Sequence, residues 1–246
     1  MDFRLQTLSL RLPRMNSAII VAAGKGTRMG ANADKLFLQV AGRPIVAHTW
    51  QRFNDARCID EIVLVVRDGM LSKFADLAAR FSFQKAHRLV TGGVERQDSV
   101  WNGLESLSTQ VEIVAIQDAA RPCTSASLIS ATIEAARETG AAVAAQCVTD
   151  TIKESMDGRV ILRTIDRSKL WSVQTPQTFR VEVIRRALEE VRRRGMSVTD
   201  DTAACELIGQ PVRLVAGVEP NPKITVLGDL PYIEMLLRQR VASTAC

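Results

Sequence analysis

The feature that most limits what this chain can fold into is a short apolar, β-branched run, residues 17–22 (SAIIVA), that passes directly into a glycine-rich loop. Such a run reads as a strand buried on both faces, the kind found in parallel sheets. Residues 61–66 (EIVLVV), 88–91 and 112–117 (EIVAIQ) repeat the pattern. Helical stretches separate them. Pro44 is placed to serve as a first helical residue before Ile45 and Val46. Phe74, Leu77, Ala78 and Phe81 are spaced for one helix face, as are Val100, Leu104 and Leu107. Strands alternating with helices predict right-handed βαβ units: an α/β fold with a mostly parallel sheet flanked by helices. Ligands of such sheets bind beyond the carboxyl ends of the strands.

The rhythm changes after Cys147. Residues 149–179 hold strand-like pieces (160–165) interrupted by Asp157-Gly158 and Pro176, and no helix is expected there. Apolar alternation with turn residues favours a protruding β-arm over a disordered loop. The α/β pattern then resumes, with Val181, Ile184, Leu188 and Val191 on one helix face and Arg192-Arg193-Arg194 at its solvated end. One domain over residues 15–246 accounts for this, preceded by an extension, residues 1–14, that reads as loose or as lying before a start at Met15.

Composition narrows the partners. With 46% apolar residues the 246-residue chain can bury a large core, and no apolar run approaches the roughly 18 residues of a membrane span. The net charge of +5 suits an anionic partner. Five scattered cysteines without a CxxC pair read as reduced thiols in a cytoplasmic setting. With only His48 and His87, a zinc site lacks ligands, so any metal is expected to be a hard, oxygen-bound ion such as Mg²⁺.

The loop after the first strand is Ala22-Ala23-Gly24-Lys25-Gly26-Thr27-Arg28-Met29-Gly30. Its glycines let backbone N–H groups approach phosphates. It is not a Walker loop, which needs Gly at position 19 and Lys-Ser/Thr after the last glycine. It is not a dinucleotide fingerprint either: the third glycine falls one place late, and residues 47–52 hold no acidic residue. Lys25, Arg28 and, further on, Lys35 instead make a surface suited to a triphosphate.

This loop with Lys35 resembles the nucleotidyltransferase signature of the 2-C-methyl-D-erythritol 4-phosphate cytidylyltransferases. Further blocks resemble that family in order: residues 92–100 (GGVERQDSV), 117–122 (QDAARP), 150–153 (DTIK), Asp166-Arg167 through 174–177 (QTPQ), Thr199-Asp200-Asp201 and 221–225 (NPKIT). Asp34 and Pro222 depart from the usual pattern without removing a charge.

The resemblance implies a Rossmann-like nucleotidyltransferase fold that transfers CMP from CTP to 2-C-methyl-D-erythritol 4-phosphate and releases pyrophosphate. Arg28 and Lys35 would stabilise charge on the α-phosphoryl group. Ala22, Ala23, Gly24, Lys25, Gly26 and Ala119 would wrap the CTP, with Gly93, Arg96 and Ser99 about the cytosine and its loop. Asp118 would hold Mg²⁺, Thr151, Arg167 and Thr175 the acceptor phosphate, and Lys223 both substrates. The arm would complete the neighbouring site of a homodimer. No fused cyclodiphosphate synthase domain is expected, and neither nucleic acid nor membrane is an expected partner. Simpler roles compete at single positions: Asp118 as a cap or a partner for Arg121, Ser99 on a helix surface, Arg167 paired with Asp166, Asp200-Asp201 as an N-cap. Rival functions are a cytidylyltransferase for ribitol 5-phosphate and a non-catalytic nucleotide- or RNA-binding module. With a single Tyr, stacking platforms for single strands are not evident.

Overall fold

A computed structural model describes residues 14–24 and 34–244, with side chains to residue 240. Residues 1–13 of the N-terminal extension and Lys25, Gly26 and Arg28 lie outside these residues. Strand β1 (Met15–Ala22) leads through the short hairpin β2 (Gln39–Val40) and β3 (Arg43–Pro44) into helix α1 (Ile45–Asp55). Next come β4 (Glu61–Val66), α2 (Leu71–Phe81), β5 (Ala86–Thr91), α3 (Arg96–Glu105), β6 (Val111–Asp118), α4 (Ala126–Thr139) and β7 (Ala141–Cys147). A two-stranded hairpin follows, β8 (Ile152–Glu154) and β9 (Arg163–Ile165). The chain then returns through β10 (Trp171–Arg180), α5 (Val181–Arg193), α6 (Asp201–Leu207), β11 (Arg213–Ala216) and α7 (Leu230–Thr244).

The main sheet has seven strands in the order β11-β7-β10-β6-β1-β4-β5. Its strands run parallel except β10, which is antiparallel to both β6 and β7. Alternate residues of β1 serve different cores, as the period of a strand requires. Ala18, Ile20 and Ala22 face a cluster with Ile45, Trp50 and Phe53 of α1, Phe74 of α2, Ile129 and Ile133 of α4, and Ile233 and Leu237 of α7. Ile19 faces the other cluster, with Val100 and Leu104 of α3, Ile184 and Leu188 of α5, and Ala204 and Cys205 of α6. Burial on both faces is why these strands read as unbroken apolar runs.

Three sequence expectations shift. Pro44 precedes α1 rather than starting it: it pairs with Gln39 in the hairpin and keeps an extended ψ of 144°. Leu107 lies beyond the end of α3 but still packs on that helix's core. The segment expected as an arm divides. Residues 152–165 form the projecting hairpin, while β10 is a buried strand of the main sheet, with Thr178 and Phe179 at 0% exposure. Pro176 is tolerated there because the pairing of β10 with β7 slips between Val173 and Gln177, so no ladder bond is asked of the proline.

From β1 the chain moves outward to β4 and β5, then crosses back to β6 on the other side of β1. The carboxyl ends of β1 and β6, paired neighbours up to Val21 and Asp118 where the strand order reverses, therefore border the crevice that doubly wound sheets use for ligands.

Candidate active site

That crevice is lined by Val21, Ala22, Ala23 and Gly24 from the end of β1 and by Asp118, Ala119 and Ala120 from the end of β6. The loop between β5 and α3 forms a second wall, with Gly93, Val94, Glu95, Arg96 and Ser99, and Lys35 and Lys223 close the rim. The loop is held tightly. The Gly92 N–H donates to Val66 O at 2.8 Å, and the Gly93 N–H donates to Ser99 Oγ at 3.1 Å. Ser99 Oγ in turn donates to Glu95 O at 3.2 Å, and the residue is 2% exposed. Ser99 is thus an internal strut of the loop, not a surface residue of α3. Both glycines are required by space. A Cβ on Gly92 would stand 2.5 Å from Ala23 Cβ, and one on Gly93 would stand 2.2 Å from Asp98 Cβ.

Asp118 is the electrostatic centre. Its Oδ2 lies 2.7 Å from Lys223 Nζ and 3.7 Å from Arg121 Nε, and its Oδ1 lies 3.7 Å from Arg96 Nε. Burial alone would raise its carboxyl pKa, but Lys223, Arg96 and Arg121 outweigh it and hold the group below its ordinary value. Burial lowers the pKa of Arg121, against the pull of Asp118. Arg96 also binds Asp201, whose Oδ2 lies 2.7 Å from Nη1. Burial would lower the Arg96 pKa; Asp201 and Asp118 outweigh it and raise it. The cleft therefore holds a surplus of cations around one carboxylate. An anionic ligand can take over these partners.

Beneath the cleft a polar network locks the loop that carries Lys223. Asn221, 2% exposed, donates from Nδ2 to Thr175 O at 2.8 Å and to Gln174 Oε1 at 3.1 Å. Its Oδ1 accepts from Thr124 Oγ1 at 2.9 Å, and its carbonyl accepts from Arg121 Nη1 at 2.7 Å. Thr175 Oγ1 accepts the Asp118 N–H at 3.1 Å, which fixes the end of β6. Lys35 Nζ donates to Ile224 O at 3.3 Å.

Of the residues expected at the site, Ala22, Ala23, Gly24, Lys35, Gly93, Arg96, Ser99, Asp118, Ala119 and Lys223 meet at this cleft. Thr175 lies just under it. Thr151 and Arg167 do not line it: both are exposed on the hairpin side, and Arg167 donates to Thr149 O. Asp166 accepts from Ser168 N instead of pairing with Arg167. Asp118 does pair with Arg121, and Asp200 does cap α6, accepting the Ala203 N–H at 2.9 Å.

Sequence reading leaves Asp200-Asp201 open between capping and function and assigns Asn221 no role of its own. Their motifs were visible; what was not visible is that their side chains are buried against the cleft. For a metal, the described residues contain no group of three or more acidic, His or Cys side chains able to hold one. Asp118, the carboxylate that lines the cleft, is the residue that would hold a hard, oxygen-bound cation such as Mg²⁺ there.

Fold and site together define a nucleotidyltransferase of the Rossmann-like class. The sequence pattern of the 2-C-methyl-D-erythritol 4-phosphate cytidylyltransferase family matches residues 16–239. The chain is 43% identical to the enzyme of that name from Alkaliphilus oremlandii over 91% of its own length and 95% of the relative. It is 44% identical to that of Geobacillus kaustophilus over 92% and 98%. Among solved structures, the 4-diphosphocytidyl-2C-methyl-D-erythritol synthase of Anaerococcus prevotii superposes with a TM-score of 0.80 at 31% identity, covering 92% of this chain and 96% of the other. The Thermus thermophilus 2-C-methyl-D-erythritol 4-phosphate cytidylyltransferase gives 0.75 at 32% identity, covering 91% and 100%. The chain belongs to the 2-C-methyl-D-erythritol 4-phosphate cytidylyltransferase family.

Proposed function

We infer that this protein transfers the cytidylyl group of CTP to 2-C-methyl-D-erythritol 4-phosphate, forming 4-diphosphocytidyl-2-C-methyl-D-erythritol and pyrophosphate in non-mevalonate isoprenoid precursor synthesis. The observation that carries this reading is the ring of Lys223, Arg96 and Arg121 around Asp118 at the β1/β6 crevice, within a chain of this family. An oxygen of the acceptor phosphate attacks the α-phosphorus of CTP, a new P–O bond forms, and the bond to the β-phosphate oxygen breaks. The nucleophile is already an anion, so no general base is needed. Charge grows on the α-phosphoryl oxygens and the leaving pyrophosphate, where cations placed beforehand act most strongly.

Lys35 takes that role, with the amide of Gly24 for the phosphates; Arg28, Lys25 and Gly26, given the same task by the family resemblance, lie outside the described residues. The loop through Gly93, tied down by Ser99, gives a narrow backbone-lined slot suited to a pyrimidine. Asp118 would hold Mg²⁺, which supplies further charge neutralisation on the phosphates when bound. Lys223, paired with Asp118 at 2.7 Å, can turn to a substrate phosphate.

Thr175 lies near the cleft for the acceptor, but Thr151 and Arg167 sit on the hairpin side of the molecule. The loop joining the two hairpin strands exposes Met156, Val160, Ile161 and Leu162 at 84, 68, 61 and 59%. An apolar tip of this kind supports docking on a second copy of the chain, with Arg167 and Thr151 delivered to the partner's cleft. The assembly is then a homodimer. Cytoplasm is the compartment we assign: Cys58, Cys123, Cys147 and Cys205 are free thiols, and among the described residues no helix is long and apolar enough to cross a membrane.

The test is pyrophosphate release with CTP and Mg²⁺, with 2-C-methyl-D-erythritol 4-phosphate or ribitol 5-phosphate supplied in parallel. Release that depends on the methylerythritol phosphate is expected. Preference for ribitol 5-phosphate would keep the mechanism and overturn the acceptor.

A further inference from the structure

Behind the cleft stands a carboxylate that reaches neither solvent nor the substrate space. Asp201 is 1% exposed at the start of α6, and it does not line the crevice. Among the described residues its side chain bonds to Arg96, which does line it. We propose that Asp201 is a positioning residue for nucleotide binding, fixing the Arg96 guanidinium so that its remaining N–H groups face the anionic nucleotide. The proposal rests on the reading of the crevice as the CTP site.

The placement of Asp201 is itself determined. Its backbone N–H donates to Gln177 Oε1 at 2.9 Å, and Gln177 Nε2 donates to Asp200 Oδ2 at 2.8 Å. Asp200 caps the helix through Ala203 N and accepts Thr202 Oγ1. Gln177 lies on β10, two residues beyond Thr175, which holds the N–H of Asp118. One strand thus supports both carboxylates that face Arg96. Asp201 Oδ2 takes Nη1 at 2.7 Å, and Asp118 Oδ1 stands 3.7 Å from Nε. The fork is held at one end, and the rest of it is left for a ligand.

Stability does not account for this carboxylate. Its Oδ1 has no hydrogen-bond partner among the described residues. A buried ion pair with an unmatched oxygen is a poor source of stability, because a well-packed apolar pair of similar volume in place of both partners is often at least as stable. Burial raises the Asp201 pKa even with Arg96 opposite, which agrees with the penalty of burying its charge. What the carboxylate does gain is orientation. A planar guanidinium bound through one nitrogen has little rotational freedom, so less is lost when it meets an anion.

The experiment is a double-mutant cycle on the full chain, with CTP affinity measured by isothermal titration calorimetry in Mg²⁺. Asp201→Asn is expected to weaken CTP on the order of 10-fold, and Arg96→Gln by at least as much, as for loss of a charged hydrogen bond. The double variant should bind CTP no more weakly than Arg96→Gln alone, because Asp201 acts only through Arg96. The KM for 2-C-methyl-D-erythritol 4-phosphate at saturating CTP should stay near wild type.

Additive losses, or full CTP affinity in Asp201→Asn, would overturn the proposal. If Asp201→Asn does not fold, Gln177→Met, which releases the Asp201 N–H, should give a smaller CTP loss that disappears in the Arg96→Gln background. Persistence of that loss would likewise refute it. A wild-type protein that does not bind CTP at all overturns the functional reading itself, an outcome distinct from an additive cycle.

Discussion

Replacing Gly93 by alanine tests the crevice at the point where its geometry is least forgiving. The new Cβ would lie 2.2 Å from Asp98 Cβ and 3.2 Å and 3.3 Å from Asp98 backbone atoms, whereas ordinary contact begins at 3.4 Å. A gap of about 1.2 Å must therefore open, because overlap on the repulsive wall costs far more than any dispersion gain. Asp98 cannot simply turn aside. It sits in the first turn of α3, its carboxylate accepts the Glu95 N–H at 3.1 Å, and α3 packs on the core through Val100 and Leu104. The loop is the softer partner, so residues 92–95 move toward or away from the nucleotide.

Overpacking of this kind costs about 1–3 kcal/mol of stability. A displacement of about 1 Å in a substrate-holding segment costs on the order of 10²-fold in turnover efficiency. The assay is pyrophosphate release against CTP concentration, beside a thermal melt. Gly228→Ala is the control, since nothing stands within 4 Å of its Cβ position. A folded Gly93→Ala protein with kcat/KM for CTP close to wild type would refute both the steric argument and the loop's place in the site.

Lys35→Ala should lower turnover on the order of 10²-fold or more, as for loss of one oxyanion donor; near-normal turnover would remove it from the mechanism. Arg167→Ala should raise the KM for the acceptor while CTP affinity, read by calorimetry, is largely kept. Equal loss of both would contradict its assignment to the acceptor phosphate, and full activity from a species of monomeric mass would refute the shared site. Lys223→Met should raise the Asp118 pKa above its wild-type position, since the strongest of the cations that offset its burial is then lost. The folded pKa of Asp118 is depressed in the wild type, so its stabilising contribution is present above the ordinary value of 3.8 and is lost as pH falls through the lower folded value. The gap in melting temperature between wild type and Lys223→Met should accordingly be full at neutral pH and close in acid.

The parts of this molecule legible in its sequence are those where one local rule is sufficient. β1, β4 and β6 are buried on both faces, so their apolar runs identify them without any knowledge of neighbours. β10 obeys no such rule. It contains Thr175, Pro176, Gln177 and Thr178, polar or strand-breaking residues that are buried because they support the crevice and the turn of α6. Read alone, that composition suggests an exposed arm, and only the pairing with β6 and β7 makes it a core strand. The same limit applies to the site. Asp118 is marked by ending a buried strand, whereas Asp200 and Asp201 look alike in sequence. One caps a helix at its surface; the other turns inward to Arg96, a contact across 105 positions that local spacing does not encode.

The crevice also explains why its polar residues are arranged as they are in the absence of substrate. Three cations around one carboxylate would repel one another if Asp118 were removed, and Asp118 would be costly to bury if they were. Each therefore keeps the other charged and in place until phosphate arrives. Lys223 is the member best suited to exchange. Its side chain is 43% exposed, against 29% for Arg96 and 11% for Arg121. An ammonium on a flexible stem can swing from carboxylate to phosphate, whereas Arg96 is held by Asp201 and Arg121 by the Asn221 carbonyl. The two arginines supply a fixed field and the lysine a movable charge, so binding CTP need not rebuild the cleft.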